Sequence, residues 1–308
     1  MGDTIMNCPI CEIVIFDKEI EYCNKCGFEF IENKLLESEI TEYQNRVNYH
    51  QHLYIWANRG DREAQNSLGL LYRYGDGFRK DVNEAVKWYK KASEQNEADA
   101  QNNLACLYEQ GDGVTQDYKK AIELWEKSAK QDNMYAQYNL GWLYNTENGT
   151  EIDYCKATFW YEKSAEQGYM YAQFNLAWMY MYGRGINKDY LKSIEWYRKS
   201  AEQEYAVAQL FLGLMYQAGW GVKRDYSESI KWYQKSANQD YANAQYHLGL
   251  MYYQGRGVEQ DYNESLKYFK KLAEEGHKKA KKMMGLMYLM GKGVKQSRKK
   301  AIKWYKKK

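Results

Sequence analysis

The chain has 308 residues, of which 28% are charged and 44% hydrophobic, and a formal net charge of +3. It holds 32 tyrosines and a single proline, Pro9. No run of about eighteen apolar residues occurs, which argues against a helical membrane span. The opening MGDTIMNCPICE lacks the basic start and apolar stretch of a secretion signal, and MGDTIM lacks the Ser/Thr of a myristoylation site. The expectation is a cytoplasmic protein, thin and largely helical, with many half-buried aromatics.

Residues 1–31 form the first predicted element. Cys8-Pro-Ile-Cys11 and Cys23-Asn-Lys-Cys26 make two CxxC knuckles. Each knuckle aims two thiolates at one point, and four thiolates satisfy a tetrahedral zinc ion with no position left open. The spacing therefore points to structural Zn2+ held by Cys8, Cys11, Cys23 and Cys26, on which so small a module depends for folding. A pair of disulfides is the alternative, disfavoured in a cytoplasmic chain. Gly27 permits a tight turn after the second knuckle, and Phe28 and Phe30 are placed to pack on a hairpin. The stretch resembles a short zinc ribbon, with Glu12 where many ribbons have glycine.

Residues 32–63 read as a linker and a capping helix, the latter from Lys34 to Asn58. Ala57 and Gly60 precede the next element as Ala165 and Gly168 precede a later one. His50 and His52 lie two apart, so on a helix they face different sides and make a poor metal pair.

From Ala64 to the end the sequence repeats. AQNSLGLLYRYGDGF is followed at steps of 36 residues by AQNNLACLYEQGDGV, AQYNLGWLYNTENGT, AQFNLAWMYMYGRGI, AQLFLGLMYQAGWGV, AQYHLGLMYYQGRGV and AKKMMGLMYLMGKGV. Repeat positions 1, 5, 8 and 9 have helical spacing. Position 6 is always Gly or Ala, small enough for a neighbouring helix to come close. Glycines at positions 12 and 14 end the first helix. Position 18 is Asp in six repeats and Ser297 in the last, an N-cap for a second helix. Glu84, Glu228 and Glu264 stand three residues later, as in capping boxes. The third repeat departs, with Glu147 and Thr150 in its turn.

The pattern A-x-x-x-L-G-x-x-Y-x-x-G-x-G-V-x-x-D resembles the Sel1-like repeat, a relative of the tetratricopeptide repeat, over residues 64–308. The resemblance implies an all-α, right-handed α/α superhelical solenoid whose role is to hold other proteins together. It also implies that the first helices line a concave face. The partner-binding residues expected there are Asn103, Asn139, Asn175, Tyr138, Trp142, Phe174, Trp178, Met181 and His247. An amide pairs with an extended peptide without demanding a sequence, and large aromatics dominate interface energetics.

Enzymatic readings are weaker. Gly183-Arg184-Gly185 is not preceded by a strand, and Gly-Lys-Ser/Thr is missing, so it reads as a turn and not as a phosphate loop. Ser297-x-x-Lys300 matches a motif of penicillin-interacting enzymes, a class some relatives have been described in, but its companion motifs are missing. Cys106 and Cys155 sit at non-equivalent repeat positions and read as free thiols. Thirteen Lys/Arg and no Asp/Glu lie between Gly276 and Lys308, a charge run that would suit nucleic acid or an acidic partner. The reading is a non-enzymatic adaptor for a protein or extended peptide, with a nucleic-acid-associated factor and a β-lactamase-like hydrolase as the alternatives.

Overall fold

In the computed structural model, the described residues are 6–8, 10, 14, 15, 23, 26 and 37–306. Cys11 lies outside them, as do Glu12, Gly27, Phe28, Phe30 and the residues 34–36 of the expected capping helix. Two short strands, β1 (Met6–Asn7) and β2 (Val14–Ile15), pair antiparallel, with Met6 opposite Ile15. Fifteen α-helices follow among the described residues. The chain divides into two compact units, Met1–Ile152 and Asp153–Lys308.

The first unit holds α1 (Glu37–Asn58), α2 (Arg62–Tyr74), α3 (Val82–Glu94), α4 (Ala98–Gln110), α5 (Tyr118–Ala129) and α6 (Met134–Tyr144). The second holds α7 (Tyr154–Glu166), α8 (Met170–Tyr182), α9 (Tyr190–Glu202), α10 (Ala206–Ala218), α11 (Tyr226–Ala237), α12 (Ala242–Gln254), α13 (Tyr262–Glu274), α14 (Lys278–Met290) and α15 (Arg298–Lys306). Within each unit every helix packs on its neighbours in sequence. This is the all-α solenoid class, in which one helix pair cannot bury its own apolar face and neighbours complete the core.

The small residue at position 6 meets an aromatic of the second helix of its own repeat. A Cβ on Gly213 would lie 2.6 Å from the Tyr233 ring. The aromatics of this slot are fully buried in the interior repeats, as Tyr89, Tyr197, Tyr233 and Phe269 are. Where position 6 is alanine, as at Ala177, the partner Tyr197 is buried as well.

Gly183 closes α8 in the left-handed region at φ 67, with its N–H on the Met179 carbonyl. Gly185 has φ 68, and a Cβ there would lie 2.0 Å from the Tyr154 carbonyl oxygen. Gly-x-Gly is thus a turn whose second glycine lets one repeat lie directly on the backbone of the one before. The third repeat differs: α6 is 11 residues long where α8 has 13, and Asn145 ends it at φ −88.

The Asp N-caps form as expected, from Asp81 accepting the Glu84 N–H to Asp225 accepting the Glu228 N–H. The capping boxes do not. Glu84, Glu228 and Glu264 turn forward to Lys87, Lys231 and Lys267. The N–H that a box would satisfy is already committed: in six repeats the position-18 N–H donates to the carbonyl of the tyrosine at position 9, at 2.8–3.0 Å. That backbone bond ties the second helix to the first and leaves the glutamates only exposed pairs of a few tenths of a kcal/mol.

Gly213→Ala is expected to lower stability by about 1–3 kcal/mol through the forced shift of the buried Tyr233 ring. The urea midpoint of the variant, with unchanged helical circular dichroism, checks it.

Candidate functional site

The sulfurs of Cys8, Cys23 and Cys26 all lie within 4.8 Å of one another, and each residue is buried to 2% exposure or less. Cys8 Sγ and Cys26 Sγ are 3.5 Å apart. Four sulfurs around a tetrahedral zinc ion stand about 3.8 Å apart, given a Zn–S bond of about 2.3 Å, so the observed spacing fits thiolate coordination. The cluster rests on the first repeat. Tyr72 of α2 donates its hydroxyl proton to the Cys26 carbonyl, and Ile10 joins Phe78 and Tyr72 in one core. His50 of α1 packs on the same Phe78, the two ring centroids 5.5 Å apart. Burial lowers the His50 pKa and favours the neutral ring. His50 is thus buried against Phe78, whereas His52 is exposed.

The residues expected on the concave face divide into four groups. Asn103 and Asn139 are half-buried, and each spends an N–H on the preceding repeat: Asn103 Nδ2 donates to Asn66 Oδ1 and Asn139 Nδ2 to Asn102 Oδ1, both at 3.0 Å. These amides couple repeats, a role the sequence reading did not assign. Met181 is a correction. It is 5% exposed and packs in the core, accepting a contact from the Tyr197 hydroxyl at 3.8 Å, because position 10 in this repeat turns toward the second helix. Phe174 and His247 are half-buried in aromatic contacts, Phe174 edge-on to Phe211 at 5.4 Å and His247 stacked on Tyr233 at 5.2 Å. Tyr138, Trp142, Asn175 and Trp178 are also half-buried.

Arg184 lies with its guanidinium 4.5 Å from the Trp178 ring centroid and 5.0 Å from that of Tyr154, and donates to the Tyr154 hydroxyl. The same slot recurs down the second unit. Trp220 stacks on Tyr190, Arg256 lies over Tyr226, and Lys292 over Tyr262. The residue between the two turn glycines is thus a latch onto position 19 of the preceding repeat, which explains the cation of Gly183-Arg184-Gly185 without a phosphate. Ser297 likewise caps α15, its hydroxyl accepting the Lys300 N–H at 3.3 Å. Cys106 and Cys155 form no disulfide, and burial raises the Cys106 thiol pKa.

The buried glutamine at position 2 was also missed. Its amide donates to the carbonyl at the end of the preceding second helix, as Gln209 does to Ala201 at 3.1 Å. Its oxygen accepts from a glutamine at or just past the end of its own repeat's second helix, as from Gln239 at 2.9 Å. The unvarying Ala-Gln pair of six repeats carried that signal.

The Sel1 repeat family model matches residues 62–97, 98–133, 135–169, 171–205, 206–241, 242–277 and 279–307. The chain belongs to the Sel1 repeat family. Its fold is commonly a protein–protein interaction scaffold. It is similar to the solved structure of c5321, a protective antigen of uropathogenic Escherichia coli strains with an SLR fold, at 36% identity and a TM-score of 0.77. That match covers 83% of this chain, which spans 55% of the antigen's length. A Sel1 repeat protein from Oxalobacter formigenes is 32% identical with a TM-score of 0.65, covering 88% of this chain and 77% of the other. No curated protein matches the chain. No helix among the described residues is long and apolar enough to cross a membrane.

Burial, aided by the Lys279 charge, pushes the His247 pKa from 6.5 down to about 4. In that window the unfolded chain binds a proton that the folded chain does not, so stability is fully present above pH 6.5 and falls as the pH drops toward 4. The difference in urea midpoint between pH 7 and pH 4.5 is expected to shrink in His247→Phe, which keeps the stack on Tyr233.

Proposed function

We propose that this Sel1 repeat protein is a non-enzymatic adaptor that holds a protein or extended peptide along the first helices of its repeats. The observation that carries the reading is that Trp142 and Trp178 stand at one repeat position in consecutive repeats and that neither is fully buried. Asn175, Tyr138 and Phe174 flank them in sequence register. Asn103, Asn139 and His247 contribute through whatever polar and aromatic surface their own packing leaves. The polar side chains best placed for chemistry are spent on structure: Ser297 on a cap, the position-2 glutamines on helix ends, and Arg184 on aromatic rings. Trp142→Ala combined with Trp178→Ala is expected to abolish capture of the native partner by the full-length bait while circular dichroism stays unchanged. Retained capture removes the groove reading.

The cysteine cluster is proposed to hold one structural Zn2+ through Cys8, Cys23, Cys26 and Cys11. The three buried sulfurs support this by their spacing, and four thiolates leave no site for substrate. With α1 the module then caps the first repeat, as solenoid ends require, and the Tyr72 bond to the Cys26 carbonyl links metal to array. One zinc per chain is expected by elemental analysis of the purified protein. Chelation or Cys26→Ser should remove it and lower Tm by about 5 °C or more, because the metal's binding energy is folding energy. A metal-free preparation with unchanged Tm speaks against the site.

A further inference from the structure

A second surface lies between α1 and α2. Tyr49, His52, Leu53 and Trp56 follow the i, i+3, i+4, i+7 spacing of one helix face, and with Asp61 and Glu63 they line a cleft of about 320 Å³. The two rings are 56% and 55% exposed. Packing does not account for them. The helix α1 ends in the register of a second helix of the array: Gln65 Nε2 donates to the Ala57 carbonyl as Gln173 does to Ala165, and Gly60 and Gly168 share φ values of 99 and 95. In that register Tyr49 and Trp56 occupy the slots of Ala85 and Ala92 in α3, or Ser193 and Ser200 in α9, all fully buried. Two large exposed rings stand where the array otherwise uses small buried side chains.

The opposite wall is anionic. Asp61 Oδ1 accepts the N-cap bond from the Ala64 N–H, and its second oxygen has no hydrogen-bond or ion-pair partner among the described residues. Among the described residues Glu63 has no ion-pair partner, and no lysine or arginine lines the cleft. A planar cation meets both walls at once, stacking its face on the rings and giving its N–H groups to the carboxylates. A lysine ammonium lacks the planar face, and an anionic segment would meet two like charges.

We infer that the α1–α2 cleft recognises an arginine side chain of a partner polypeptide. This inference names a partner chemistry for the adaptor reading and rests on it. The probe is acetyl-Gly-Arg-Gly-amide, with the citrulline peptide as the uncharged isostere. The full-length chain carries 5-fluorotryptophan, and the Trp56 signal is assigned by its loss in Trp56→Phe. The arginine peptide is expected to shift the Trp56 resonance saturably, and added salt should weaken the effect. The double variant Asp61→Asn, Glu63→Gln should weaken binding by roughly fivefold or more, given the loss of both charges at a partly exposed site. Asn retains the cap, so α2 keeps its start. Equal shifts with citrulline, no shift with either peptide, or undiminished binding to the double variant overturns the inference. The titration needs no native partner and does not involve Trp142 or Trp178, so its failure and that of the groove reading are distinguishable.

Discussion

The register between repeats depends on one buried side chain, the glutamine that follows the first alanine. Gln65, Gln137, Gln173, Gln209 and Gln245 each reach back to the last turn of the preceding second helix, which offers orphan carbonyls. Three of these, Gln65, Gln173 and Gln209, also accept from the glutamine at or just past the end of their own repeat's second helix, and Gln101 accepts from Gln131 in the same way. One amide thus joins three helices at a buried point. An unsatisfied buried carbonyl costs about 1–3 kcal/mol, so a slipped register would leave both partners exposed to that loss. A fixed step of 36 residues without insertion is the sequence consequence. The last repeat replaces the glutamine with Lys281, which stays buried in the same slot.

Features encoded within one helix or turn were legible from the sequence. The period, the left-handed glycines and the Asp caps each need only local chemistry, and they appear where the pattern puts them. The capping boxes at Glu84, Glu228 and Glu264 failed because a carbonyl nine residues upstream takes the N–H they require. Asn103 and Asn139 were read as ligand amides because their partners, Asn66 and Asn102, lie 37 residues away in sequence. Met181 was misplaced for a related reason. Helical period assigns it a face, but only the packing of Tyr197 decides whether that face is covered.

Buried tyrosines at position 26 have hydroxyls directed inward, such as Tyr233 to Gln217, and their pKa values are raised by burial. They stay protonated and serve packing. Their rings fill the space that the small residue at position 6 leaves, as Tyr233 does against Gly213.

The turn residue at position 13 shows how such a scaffold varies. It is Asp76, Asp112 and Asn148 in the first three repeats, then Arg184, Trp220, Arg256 and Lys292. Its flanking glycines hold the same left-handed conformation in both units. In the first unit Asp76 pairs with Arg46 of α1, and in the second the cations and Trp220 sit on tyrosines of the preceding repeat. The backbone tolerates either sign because the side chain leaves the turn outward, where neither the glutamine clamp nor the position-6 contact is touched. The sign of the charge at this position thus changes between the two units while each turn keeps its conformation. The first unit, which has Asp76 and Asp112 here, is also the unit that carries the aromatic cleft with Asp61 and Glu63.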